Sequence, residues 1–232
     1  MRACAALVLA LACARGAHGR DRLYKTCPSP IPVLQNRLDI PGVLEDEKML
    51  RGVELGVLHG SYARDVLERW PSCIEYVLVD LWAPQENYAD LANAEHDVQA
   101  RRMNEALKNT EPWKEKVTVC RNYTTECAKR FPDNHFSFVY LDARHDRLGV
   151  LEDLTAWWEK VESDGLVCGH DFVRQSEGPA QTGQRWDINF DGTVDPEGGA
   201  VRTAVENWAM RHKRQLQITY KEDSWWSWCM RR

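Results

Sequence analysis

The 232-residue sequence has no Cys-x-x-Cys pair and no Cys/His ligand spacing, which argues against a structural zinc site. It has no internal repeat and no low-complexity segment, and its length suits one sizeable α/β domain or two small ones. It lacks an excess of basic charge: the net charge of −5 argues against a nucleic-acid binder, which would show a basic face. The one basic cluster, Arg-His-Lys-Arg at 211–214, reads as the solvated end of a late helix. A long hydrophobic run is also missing. The apolar stretch from Ala3 to Ala14 is too short to cross a bilayer, so no stable membrane span is expected.

That stretch, preceded by Arg2 and followed by the small residues Ala17 and Gly19, has the layout of a secretory signal peptide over 1–19. Cleavage after Gly16 or Gly19 would send the chain to the ER/Golgi lumen or outside the cell; a transit peptide or short anchor is the alternative. Removing the segment leaves Cys27, Cys73, Cys120, Cys127, Cys168 and Cys229, an even count that permits disulfides without revealing their pairing. Asn122-Tyr123-Thr124 is an N-glycosylation sequon, relevant in a glycoprotein of the secretory path.

Residues 20–48 read as a Pro-containing leader without periodicity. From 49 to 232 an alternation of strands and helices predicts one domain. Strand candidates are 51–57, 75–82, 116–121, 136–143 and 165–172, with helices over 61–70 and 88–109 and one carrying Leu148, Leu151, Leu154, Trp158 and Val161. A last helix through Val201, Val205, Trp208 and His212 leads to two apolar runs suited to an antiparallel hairpin. The expected fold is an α/β, Rossmann-like three-layer sandwich with a mostly parallel sheet. Residues 173–198, polar and glycine-containing, read as a lid or insertion.

Ligands of open parallel sheets bind beyond the carboxyl ends of the strands. The first strand ends in Glu54-Leu-Gly56-Val-Leu-His-Gly60-Ser61, where two glycines allow close backbone approach and Ser61 opens a helix. The second ends at Asp80, a carboxylate that can accept from both hydroxyls of a ribose. The G-x-G-x-x-G fingerprint is absent, so a nucleoside without phosphates fits better than a dinucleotide. The fourth and fifth strands end in Asp142-Ala-Arg-His145-Asp146 and Gly169-His170-Asp171. Asp142 and Asp171 can hold Mg²⁺ or another divalent cation; His170 suits Mg²⁺ less well, because that ion prefers oxygen. His145 titrates in the range of a general base, with Asp142 orienting it. The plainer reading is that Asp146 caps a helix and His170 satisfies a loop.

Together, VELGVLHGSYA, VLVDLW and FSFVYLDARHDRLGVLEDLTAWWEKVESDGLVCGHDF resemble the class I S-adenosylmethionine-dependent methyltransferases, in a small-molecule O-methyltransferase-like subgroup. The resemblance covers 51–172 well. It implies that Glu54, Gly56, Gly60 and Ser61 face the methionine part of S-adenosylmethionine, Asp80 its ribose, and Asn122 and Tyr123 its adenine. It also implies a divalent metal at Asp142 and Asp171. Two departures are visible: Asp164 replaces one glycine before the fifth strand, and His170-Asp171 stands where metal-binding relatives often carry an acid or amide pair. The implied activity is methyl transfer to a hydroxyl of a small molecule or glycan, with Trp186 and Asp187 facing the acceptor.

A second reading comes from WDINFDGTVDPEGG at 186–199, where Asp187, Asn189, Asp191 and Asp195 follow the rhythm of a calcium loop. On that reading the chain is a secreted, non-catalytic domain of the same fold that binds calcium or a glycan through this loop. Gly198 stands where the bidentate Glu should be, and Gly178, Pro179 and Gly183 leave no entering helix, so a substrate lid is preferred. The sequence does not set the oligomeric state.

Overall fold

Short runs of β-branched and aromatic residues, apolar on both faces, mark strands that will be covered on both sides. The computed structural model describes residues 29–222 and 225–232. Five such runs form parallel strands: β1 (Arg51–Leu55), β2 (Glu75–Asp80), β3 (Val117–Arg121), β4 (Phe136–Leu141) and β5 (Val161–Gly169). All six residues of β4 are buried, as befits the sheet centre. Two short strands close one edge, β6 (Gln217–Ile218) and β7 (Trp228–Arg231), giving the order β3-β2-β1-β4-β5-β7-β6 with β7 antiparallel to β5 and β6. The expected sandwich and terminal hairpin are present.

Alternation along each strand divides the core in two. Val53, Leu55, Val77, Val79, Val139 and Leu141 pack with α4 (Thr124–Ala128), α5 (Arg147–Trp158) and α6 (Val201–His212). Tyr76, Leu78, Phe138 and Tyr140 face α1 (Ile40–Asp46), α2 (Ser61–Arg69) and α3 (His96–Thr110). Glu54 falls on this second face by its place in β1, which is why a carboxylate ends up buried there.

The structure departs from the sequence reading in four places. Leu34, Ile40, Val43 and Leu44 are core residues, so the leader from 34 onward is part of the domain that was expected to begin at 49. The expected helix over 88–109 begins only at His96, and residues 82–95 form an irregular loop. Val161, assigned by its spacing to the helix, starts β5 instead; α5 ends at Trp158 and Lys160 N–H closes on the Trp157 carbonyl. Helix α4 was not anticipated.

Two disulfides settle the pairing for four cysteines. Cys168–Cys229 joins β5 to β7 at paired register positions, and Cys120–Cys127 joins the end of β3 to α4. Among the described residues Cys73 is buried without a disulfide partner. The expected signal peptide and Cys27 lie outside the described residues. No helix among the described residues is long and apolar enough to cross a membrane.

Candidate active site

The carboxyl ends of β1, β2, β4 and β5 open into a cavity of about 970 Å³. Glu54, Gly56, Ser61, Asp80, Asn122, Tyr123, Asp142, His145, His170, Asp171 and Trp186, all named from the sequence, line it together. That volume falls within the range of small-molecule sites, toward its upper end.

Gly56 (φ +83) and Gly60 (φ +73) both need left-handed backbone, and each has a packing reason besides. A Cβ at Gly56 would meet the Asp142 carbonyl oxygen at 1.9 Å, and one at Gly60 would meet Ala106 Cα in α3 at 2.8 Å. Gly60 helps form the site from behind, by letting α3 press against the loop. Asp80 braces the same loop: its Oδ2 accepts from Val57 N–H (2.8 Å) and Leu58 N–H (2.9 Å), and its Oδ1 from Trp82 N–H (2.8 Å). A carboxylate has about four acceptor positions, so Oδ1 retains capacity for a ribose hydroxyl. Glu54 accepts from the Tyr76 hydroxyl at 3.0 Å, and burial pushes its carboxyl well above the usual range. Asn122 and Tyr123 sit between β3 and α4, with Cys120–Cys127 closing the turn around them.

On the opposite wall, His145 Nε2 lies 3.0 Å from Asp171 Oδ2 and 3.4 Å from Asp142 Oδ1, while Nδ1 lies 3.0 Å from Asp90 Oδ2 and 3.1 Å from the Tyr88 hydroxyl. Burial disfavours the imidazolium, but Tyr88, Asp171 and Asp142 outweigh it and hold the imidazole well above its ordinary range. Burial would likewise raise Asp171; His145 and His170 instead hold it far below the usual carboxylate range. His170 Nδ1 is 2.8 Å from Asp171 Oδ1. Asp171 itself adopts a left-handed φ of +55, a region that Asp and Asn enter more readily than other non-glycine residues. Asp146 is the N-cap of α5, accepting from Gly149 N–H at 3.0 Å; for this residue the plainer reading is the one observed.

Thr182, Gln184, Trp186 and Phe190, from the segment 173–198, line the same cavity. Trp186 is 1% exposed, its ring centroid 4.3 Å from that of His145 and 4.8 Å from that of Trp225. Asp187 is not part of the cavity wall: it makes a two-pronged ion pair with Arg185 (2.7 and 2.9 Å), so the expectation that it faces the acceptor is corrected. The calcium-like acids are spent separately. Asn189 Oδ1 accepts from Leu148 N–H, Asp191 from Thr193, and Asp195 from Arg147, Glu197 N–H and Gly199 N–H. Sharing one ion would require breaking those contacts.

Sequence reasoning missed Tyr88, Asp90 and Arg37. The first two sit in the loop where the sequence predicts an exposed helix, and Arg37 in the segment whose sequence predicts a leader. No periodic signal marks them; only the path of the chain brings them to the cavity.

The residues fit the implied groups. For S-adenosylmethionine there is a cavity of suitable size with carboxylates at the ends of β1 and β2. For a cation, Asp142, His170 and Asp171 offer two oxygens and one nitrogen, all within 4.8 Å of one another. That mixed set suits a first-row transition ion better than Mg²⁺.

A family model described as a methyltransferase domain matches residues 53–172. Curated proteins give no match. Among solved structures, the chain is similar to a Staphylococcus aureus protein described as a caffeoyl-CoA O-methyltransferase, at 10% identity and a TM-score of 0.57 over 87% of this chain and 86% of that one. A Bacillus cereus O-methyltransferase in complex with SAH gives 13% identity and 0.55, covering 84% and 80%. A SAH-bound Podospora anserina methyltransferase gives 12% and 0.54, covering 83% and 75%. At such identities these likenesses carry the fold alone. The family model spans just over half of the sequence, including the strand ends that carry Glu54, Asp80, Asp142 and Asp171, and the chain belongs to the class I S-adenosylmethionine-dependent methyltransferases.

Proposed function

We propose that this methyltransferase acts on a hydroxyl of a small molecule or glycan, with His145 as the group that takes the hydroxyl proton. The observation that carries this reading is the position of His145 Nε2, within 3.4 Å of both Asp142 and Asp171, in the cavity that also holds the glycine loop. Displacement at a sulfonium methyl needs an aligned nucleophile stripped of its proton, because the leaving group is already good. Asp90 and Tyr88 fix Nδ1, leaving Nε2 as the working nitrogen. Asp142, His170 and Asp171 would hold a divalent cation, which supplies polarisation of the acceptor hydroxyl when bound. A cation held there would draw on the same two carboxylates that now face His145 Nε2, which would hold the imidazole proton less firmly and favour its acting as a base. Trp186 and Trp225 supply aromatic faces suited to a flat or sugar acceptor.

The descriptions of two structural relatives as O-methyltransferases agree with this choice of acceptor atom. We further propose that the chain works in the secretory path. Two disulfides support it, since such bonds persist in oxidising compartments. There, a glycan on Asn122, which lines the cavity, would obstruct the adenine end, so Asn122 is expected to stay unmodified in the active protein. The test is transfer of labelled methyl from S-adenosylmethionine to matched hydroxyl, amine and carboxylate acceptors, with wild type and His145→Gln. Hydroxyl transfer lost in the variant supports the reading. Transfer only to nitrogen, or an unaffected variant, would sink it.

A further inference from the structure

Arg37 lies outside the stretch matched by the family model, yet it reaches the cavity beside Glu54, Gly56 and Ser61. Its backbone is pinned. Asn36 caps the short 3₁₀ turn Arg37–Asp39, Arg37 N–H donates to Glu222 Oε1 at 2.7 Å, and the Tyr62 hydroxyl reaches the Arg37 carbonyl at 3.5 Å. Its guanidinium lies 5.3 Å from the centroid of the Tyr62 ring, a cation–π placement that holds it over the second residue of α2. Tyr62 is itself held by Tyr140, with ring centroids 4.2 Å apart. Among the described residues, no carboxylate stands within ion-pair distance of this guanidinium. A half-buried cation on the cavity wall, fixed in place but without a direct counter-ion, is arranged to receive an anion from a ligand.

The amino-acid end of S-adenosylmethionine is a zwitterion. Glu54, buried at the end of β1, offers a carboxyl oxygen to its ammonium, whose charge would offset the burial that raises this carboxyl; Arg37 is of the sign to take its carboxylate. We propose that Arg37 and Glu54 form a two-point clamp for the amino-acid end of the cofactor, with the guanidinium forking onto the carboxylate. An acceptor anion is the competing occupant. Arg37 sits over the start of α2, on the glycine-loop side of the cavity, whereas Trp186 and Trp225 pack on the His145 side, and this favours the cofactor.

The clamp rests on the use of S-adenosylmethionine and is tested by binding alone. Titration calorimetry would compare S-adenosylhomocysteine with 5′-methylthioadenosine, which lacks the amino-acid end, on wild type, Arg37→Ala and Arg37→Lys. Loss of a charge-assisted pair predicts that Arg37→Ala weakens S-adenosylhomocysteine by roughly 10- to 100-fold. Methylthioadenosine should bind the variant as it binds wild type, and Arg37→Lys should recover part of the loss. Equal binding of S-adenosylhomocysteine by wild type and Arg37→Ala overturns the clamp and leaves the cofactor assignment intact. So does an equal loss of both ligands, which marks a structural role. Wild type that binds neither ligand removes the cofactor assignment and the clamp with it.

Discussion

Asp90 accepts the indole N–H of Trp186 at 2.6 Å, and the same oxygen lies 3.0 Å from His145 Nδ1. One carboxylate, from the loop after β2, thus ties the segment 173–198 to the proposed base. Asp90 is held below the usual carboxylate range: burial opposes this, but His145 and Trp186 outweigh it, so it is ionised when it does so.

Removing that tie should affect the segment 173–198 and the reaction together. Asp90→Ala is expected to lower kcat by up to about 100-fold, the scale of a reacting group displaced by about 1 Å, with a smaller change in KM. It should also speed proteolytic cleavage within 173–198, which Trp186 now anchors. Unchanged cleavage combined with unchanged kcat would count against the tie having any role.

Asp80 gives a second test, because it serves the loop before it serves a ligand. Its three backbone contacts mean that Asp80→Ala should cost about 1–3 kcal/mol of stability and weaken S-adenosylhomocysteine at least tenfold. Denaturant unfolding and calorimetry on the same preparations separate the two effects. Full affinity in the variant would remove Asp80 from the cofactor site.

Why was most of the site legible in the sequence? Strand ends are one-dimensional features: Glu54, Asp80, Asp142 and Asp171 each follow an apolar run, and a parallel sheet brings such positions to one edge. Tyr88 and Asp90 have no such marker. Their loop is polar, has the sequence of an exposed helix, and reaches His145 only because residues 82–95 fold back across the cavity, with Ala89 paired to Arg185. The leader failed for a related reason. Its buried residues, Leu34, Ile40, Val43 and Leu44, are too few and too broken by Pro41 and Gly42 to show a period, yet they complete the core on the α2 face. Asp187 shows the converse error, since a residue next to Trp186 in sequence can point away from the cavity when Arg185 offers it a closer charge.

The cation site is checked without any acceptor. Manganese titrated into the protein after chelator treatment should bind with a saturable signal in wild type and lose it in Asp142→Ala and in Asp171→Ala. Asp187→Ala and Asp191→Ala should leave it untouched, because those acids are engaged elsewhere. Binding that follows Asp187 and Asp191 instead would restore the calcium-loop reading of 186–199.

The bond between Cys168 and Cys229 closes a loop with a sequence separation of 61, so its loss should release considerable entropy to the unfolded chain. Cys229→Ser is expected to cost about 2–4 kcal/mol, read by denaturant unfolding under non-reducing conditions. The β5–β7 pairing holds the His170-Asp171 corner, with Trp228 Nε1–H donating to the His170 carbonyl at 3.2 Å. The variant should therefore also bind manganese less tightly. Unchanged stability would mean that the two sulfurs are not bonded in the folded protein.

Asp153 provides a pH signature outside the catalytic cluster. It is buried in α5 against the Thr124 hydroxyl, and burial pushes its carboxyl up to about 7 from an ordinary value of 3.8. The folded state then binds a proton that the unfolded state gives up between those two values, so stability falls as pH rises from about 4 to about 7 and levels off above. A difference of about 3 units corresponds to a cost of about 4 kcal/mol at pH 8. Asp153→Asn keeps an acceptor for Thr124 but carries no charge. Its unfolding free energy, measured beside that of wild type, should be higher by several kcal/mol at pH 8 and nearly equal at pH 4. Because every other titrating group is shared, the difference between the two profiles isolates Asp153. A difference that stays flat from pH 4 to pH 8 would mean that the carboxyl is solvated or paired in the folded chain.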